Sequence, residues 1–197
     1  MGILLAFAPF IGFAIIDRFA GSTEGLVVGA LISIGLIVRD VMTAGRSPKI
    51  LEIGTATLFC ALVLYALFGT PTWSVIGVRL CVDTGLLGVV LISMAIGRPF
   101  TLQYAREQVP AEYQATPEFL RTNYVITGVW ALAFAVMVAA ELALLYMPNV
   151  PHRLGILAIV AALVGAVKFT GWYPDHIGQK AGPYVDGSLL QGLSGKI

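Results

Sequence analysis

Charge is scarce in this sequence: Asp, Glu, Lys and Arg make up 12% of its 197 residues, against about 25% in an ordinary soluble domain. So few charges cannot cover a water-exposed surface. With 58% hydrophobic residues and a mean hydropathy of +0.88, the chain reads instead as a polytopic all-α membrane bundle. Histidine is rarer still, with two in the chain, His152 and His176. That excludes the histidine-rich ligand sets of membrane desaturases and di-iron hydroxylases. The two cysteines, Cys60 and Cys81, lie inside apolar runs and read as small hydrophobes. No Cys-x-x-Cys, His-x-x-His, Gly-x-Ser-x-Gly or phosphate-cradling Gly-x-x-x-x-Gly-Lys pattern occurs. No catalytic residue, metal ligand or cofactor is therefore assigned, and the chain is read as non-enzymatic. A net charge of +1 lacks the basic field that a phosphate backbone demands, which argues against nucleic acid as a partner.

What is present is a series of apolar runs. The first two, at 3–16 and 26–38, end at Asp17-Arg18 and Arg39-Asp40. A run of 14 residues gives about 21 Å of helix against a hydrocarbon core of about 30 Å. This first hairpin is therefore short, and a re-entrant path stands beside two full crossings, which are favoured. The start of the chain has no basic segment and no small-residue cleavage site, so the first run is expected to remain as a membrane segment. Gly45 and Pro48 break the chain before a third run at 50–68. A turn at 69–72 leads to Trp73, expected as an interfacial anchor, and a fourth run to residue 97. The fifth and sixth runs are 124–147 and 154–172. The expected organisation is one domain of six transmembrane helices over 1–172 and a polar Gly-rich tail over 173–197.

Lys and Arg resist translocation, so their distribution orients the chain. Six spans put Arg39, Arg46, Lys49, Arg98, Arg106, Arg121, Lys180 and Lys196 on one side, and Arg18 and Arg153 on the other. Both termini are expected in the cytoplasm, with His152 and His176 on opposite sides of the membrane.

Ionisable groups inside apolar spans are costly and are candidate functional residues. Arg79 and Asp83 lie four residues apart in the fourth run, on one helical face. Glu141 in the fifth run falls at a depth similar to that of Arg79. A buried network of Arg79, Asp83 and Glu141 is expected, as a structural clamp or as a proton- or ion-coupled site. Lys168 reads as snorkelling to the interface, and Glu52 as a carboxylate stabilised at a helix N-terminus. The longest polar segment, 98–123, gathers Arg98, Tyr104, Arg106, Arg121 and Asn123 at the basic side. Its short helices are expected to turn Phe100, Leu102, Tyr104 and Phe119 toward lipid headgroups, making a lipid- or partner-facing loop. The Gly25-x-x-x-Gly29 spacing offers close helix packing or self-association.

Several of these features together resemble the bacterial intracellular septation protein A family of inner-membrane proteins. They are Phe7-Ala8-Pro9-Phe10-Ile11-Gly12-Phe13 with the break at Asp17-Arg18, then Gly97-Arg98-Pro99-Phe100, then Asn123 followed by Trp130-Ala131 and Phe134. The resemblance covers residues 1–147; beyond it the chain continues through a sixth run and a Gly-rich tail in place of the family's basic C-terminus. It implies an envelope-maintenance protein of the bacterial inner membrane that acts through protein partners, self-association and lipids. Two other functions compete: a small transporter or channel using the buried carboxylates, and an accessory subunit of a larger membrane complex.

Overall fold

A computed structural model describes residues 2–69, 74–147, 149 and 151–180, with side chains described within residues 4–177. Trp73, expected as an anchor, and the tail beyond residue 180 lie outside the described residues. The described chain is all-α: α1 (Gly2–Leu5), α2 (Ala8–Phe19), α3 (Ser22–Met42), α4 (Ile50–Phe68), α5 (Val75–Ala95), α6 (Phe100–Arg106), α7 (Pro117–Tyr146) and α8 (His152–Lys180), with a 3-10 turn at Ala111–Tyr113. Five of these helices, α3, α4, α5, α7 and α8, are long and apolar enough to cross a membrane. Their outward side chains, such as Leu31, Leu64, Ile92, Leu132 and Leu157, are exposed and apolar. This is the surface a bundle offers to lipid, where no hydrophobic penalty attaches to it.

The first expected span is therefore corrected from one crossing helix to two short ones. Pro9 stands in the first turn of α2 and has no N–H to continue the ladder from α1, so the chain turns at Ala6 and Phe7. The second expected span is longer than the apolar run alone. It begins at Ser22 and carries Arg39 and Asp40 inside its last turn, 21 residues in all, or about 31 Å. Its charged end is tolerated because both side chains find partners. α1 and α2 together follow α3 from end to end. Leu5 sits beside Arg39 and Lys49, Gly12 faces Val28 and Ile32, and Gly25 faces Phe13 and Asp17.

The glycine pair of α3 is used within the chain. A Cβ on Gly25 would lie 3.0 Å from the Asp17 nitrogen and the Phe13 oxygen, and one on Gly29 would lie 2.5 Å from the Phe59 ring. These positions let α2 and α4 approach α3 closely, so they are occupied and offer nothing to a second copy.

α5 packs on α4 and α7, and α8 packs chiefly on α7. The α7–α8 hairpin is pinned where Trp130 Nε1 donates to Thr170 Oγ1 at 2.9 Å. α8 continues past residue 172 to Lys180, which brings the end of the described chain back to the end where it started. At the close of α5, Gly97 takes φ +76°. Its N–H donates to Met94 O at 3.1 Å and that of Arg98 to Ser93 O at 2.9 Å. This left-handed cap turns the chain sharply into α6.

α6 does not lie on the headgroup surface. Phe100, Leu102 and Tyr104 are buried, and Phe119 is half-buried. Thr101 Oγ1 contacts Asn123 O at 3.0 Å and Thr127 Oγ1 at 2.8 Å, locking α6 to α7. The aromatic spacing of 98–106 thus serves the core, where Phe100 and Tyr104 pack with Leu51, Val90 and Trp130.

Candidate functional site

Two groups of charges are built into the bundle, one at its basic end and one beside a half-open cavity. At the basic end, the last turn of α3 presents Arg39 and Asp40, and the connection to α4 folds back to bring Arg46 and Lys49 over them. Asp40 Oδ1 accepts from Arg39 Nε at 2.9 Å and Nη2 at 2.6 Å, and Arg46 Nη1 stands 3.8 Å away. Asp40 Oδ2 accepts from Lys49 Nζ. The Lys49 ammonium also lies 2.9 Å from Glu107 Oε1 and 3.8 Å from Glu52 Oε1. It sits 5.1 Å from the centre of the Tyr104 ring. Three cations thus meet three carboxylates and their charges cancel. Asp40 and Lys49 are almost fully buried.

Electrostatics at this end follow from that pairing. Burial pushes the Lys49 ammonium down, but its hydrogen bonds to Asp40 and Glu107 and the charge of Glu52 outweigh burial and hold it above the ordinary lysine range. Burial, and then the Glu52 and Asp40 carboxylates, push the Tyr104 phenol up. Both groups hold their protons more tightly folded than unfolded. Their contribution to stability is complete below the ordinary values of 10.0 for tyrosine and 10.5 for lysine, and is lost as pH climbs through the raised folded values. Detergent-solubilised protein should therefore lose stability above about pH 10, and the Lys49→Met, Tyr104→Phe chain should show a flatter alkaline limb. Unfolding curves collected from pH 8 to pH 11.5 check this; an unchanged slope in the double variant would count against it.

The second group lies against a cavity of about 560 Å³ walled by α1 and α2, α5, α7 and α8. Most of its wall is aromatic and aliphatic, and three charged residues, Arg79, Asp83 and Glu141, line it. Arg79 turns its guanidinium to α2, where Nη2 and Nε donate to Asp17 Oδ2 at 2.7 and 3.0 Å. Ser22 Oγ donates to the other oxygen of Asp17 at 2.6 Å. Asp83, one turn beyond Arg79, meets Glu141 of α7, with the two carboxyl groups in hydrogen-bonding reach of each other. Glu141 is 5% exposed, and among the described residues no N–H or hydroxyl group donates to its Oε2.

The structure thus brings Asp83 and Glu141 together, while the ion pair of Arg79 goes to Asp17, which the sequence presents only as the end of an apolar run. Of the expected loop residues, Arg98, Arg106 and Arg121 are exposed, and Tyr104 and Asn123 are buried. Asn123 Nδ2 donates to Phe119 O at 2.9 Å, within α7. The cluster around Asp40 escapes sequence reasoning because its members come from three elements. Its visible trace is an acid closing one helix and a Lys-x-x-Glu opening the next. Comparison of the chain with family models, curated proteins and solved structures finds no match.

Proposed function

We propose that this multi-pass helical membrane protein is a small carrier that exchanges protons for an organic solute at the Asp83–Glu141 pair. We assign it to a bacterial cytoplasmic membrane, with its basic end inward on the distribution of Lys and Arg. The observation that carries the reading is the meeting of two carboxyl groups, Asp83 and Glu141, at the wall of a cavity. Here two carboxyl groups that are costly to bury line a space large enough for a small molecule, within the range of about 300–1,000 Å³ typical of ligand sites. The other ionisable groups near the pair are Arg79, engaged by Asp17, and Cys81 of α5. α8 contributes Ile159, Leu163 and Val167 and no charge to the wall. Two carboxyl groups in contact resist carrying two negative charges in an apolar wall. A proton or a cation relieves that repulsion, and the two compete for the same place.

Proteoliposomes loaded with a pH dye test the proposal. With tetraethylammonium enclosed in the lumen as the solute to leave in exchange, the wild type should acidify the lumen after an external acid step well above empty vesicles, and Glu141→Gln or Asp83→Asn should slow this at least tenfold. Glu118→Gln, in the exposed first turn of α7, should leave the rate unchanged. A wild type no faster than empty vesicles, or a Glu141→Gln protein as fast as the wild type, would sink the proposal.

A second reading keeps the envelope-maintenance role implied by the septation protein A resemblance, with membrane lipids and protein partners or self-association. What favours it is the exposed basic rim of Arg98, Arg106 and Arg121, suited to anionic headgroups or a partner's acidic surface. Photo-crosslinking from positions 106 and 121 in native membranes tests it, and recovery of no adduct at either position would count against it.

A further inference from the structure

We infer that the ligand of the cavity is a hydrophobic organic cation, an ammonium or other onium centre carried on a flat or branched apolar body. This rests on the preceding reading of the cavity as a solute site and adds the chemistry of the solute. Charge selects the sign. Of the charged side chains at the wall, Arg79 has its Nε and Nη2 donors committed to Asp17, which leaves two carboxyl groups against one guanidinium that is already paired. An anionic ligand would share Arg79 with Asp17 and would have to approach two acids. A cation meets two carboxyl groups, Asp83 and Glu141, that line the same wall.

The walls select the body. Phe7 stacks on Trp130 with ring centres 4.6 Å apart and lies 5.9 Å from Phe134, and Phe10 stands 6.3 Å from Phe7. All four rings line the cavity. Aromatic faces attract a cation through their quadrupole and offer flat area to an apolar body. A small hydrated ion would gain nothing from such a wall and would have to shed its water to enter.

The test is binding of tetraphenylphosphonium to the purified full chain in detergent, read by tryptophan emission. Trp130 lines the cavity, so Trp73 and Trp172 are first replaced by Phe to leave it as the reporter. Saturable quenching is expected. Glu141→Gln and Asp83→Asn should each raise the apparent Kd at least tenfold. Lowering the pH from 8 to 5 should weaken binding in the parent and have less effect in either variant. Tetraphenylborate, an anion of the same shape, should give no saturable quenching. The inference is overturned if tetraphenylborate quenches as well as tetraphenylphosphonium, or if both carboxyl variants, folded by their unfolding curves, bind the cation as the parent does. Saturable cation binding without proton flux upholds the ligand class and refutes the carrier. Proton flux without cation binding does the reverse.

Discussion

Replacing Asp40 by leucine should lower stability by about 3 kcal/mol, and adding Lys49→Met to the same chain should restore most of that loss. The Asp40 side chain has no exposed surface and is the point on which Arg39, Arg46 and Lys49 converge. Without it, three cations face two carboxylates, and Lys49 is 3% exposed with nowhere to be hydrated. Removing one partner of a buried pair costs about 3–5 kcal/mol because the remaining charge stays desolvated. The lower end of that range applies here, since Glu107 still holds Lys49 at 2.9 Å and the half-exposed Arg39 can turn toward Glu52. The double variant removes both buried charges and leaves a shape that apolar side chains fill. SDS-titrated unfolding of the solubilised protein measures the three chains. A double variant no more stable than Asp40→Leu would mean that the cluster acts through something other than paired charge.

The second large effect comes from a single methyl group. Gly29→Ala should cost about 2 kcal/mol, although glycine to alanine in an open helix gains close to 1 kcal/mol. The added Cβ would lie 2.5, 2.7 and 2.8 Å from three ring atoms of Phe59. That ring cannot swing aside, because it is fully buried and held by Phe10 at 5.3 Å and Phe13 at 5.9 Å between ring centres. Either α3 moves away from α4 or the aromatic group repacks. Gly35, six residues along the same helix, has nothing within 4 Å of its hypothetical Cβ among the described residues, so Gly35→Ala should be neutral or stabilising. Adding Phe59→Leu should recover part of the Gly29→Ala loss. Equal effects at positions 29 and 35 would refute the close approach.

These two results bear on what a sequence can reveal. The membrane class and four of the spans were legible because hydropathy is a local sum along the chain, and each of those runs is bounded by Gly, Pro or charge. The first hairpin was less so. Asp17-Arg18 and Arg39-Asp40 look like ends because charge ends an apolar run, yet Asp17 and Asp40 are inside the structure, paired with residues 62 and 9 positions away. Whether a charge stops a helix or is absorbed depends on a partner that the local sequence does not show. The same holds for α6, where Phe100 and Tyr104 read as headgroup anchors until α4 and α7 close over them. Asp83 and Glu141 were visible as candidates because carboxylates are rare at such depth. The choice of Asp17 over Asp83 by Arg79 is tertiary.

The link between α2 and α3 is only Ala20 and Gly21, and it bears on how the protein enters the membrane. α2, with 12 residues, is about 18 Å long and cannot cross unaided, so it must insert together with α3 as one hairpin. Asp17 travels in that hairpin, ahead of α5 in the order of synthesis. Its carboxylate enters the bilayer with Ser22 as its first partner and acquires a counter-ion only when Arg79 follows. α1 and α2 are therefore part of the bundle that α5 completes. Without them, α5 would bring a guanidinium into lipid with no acid on α2 to receive it.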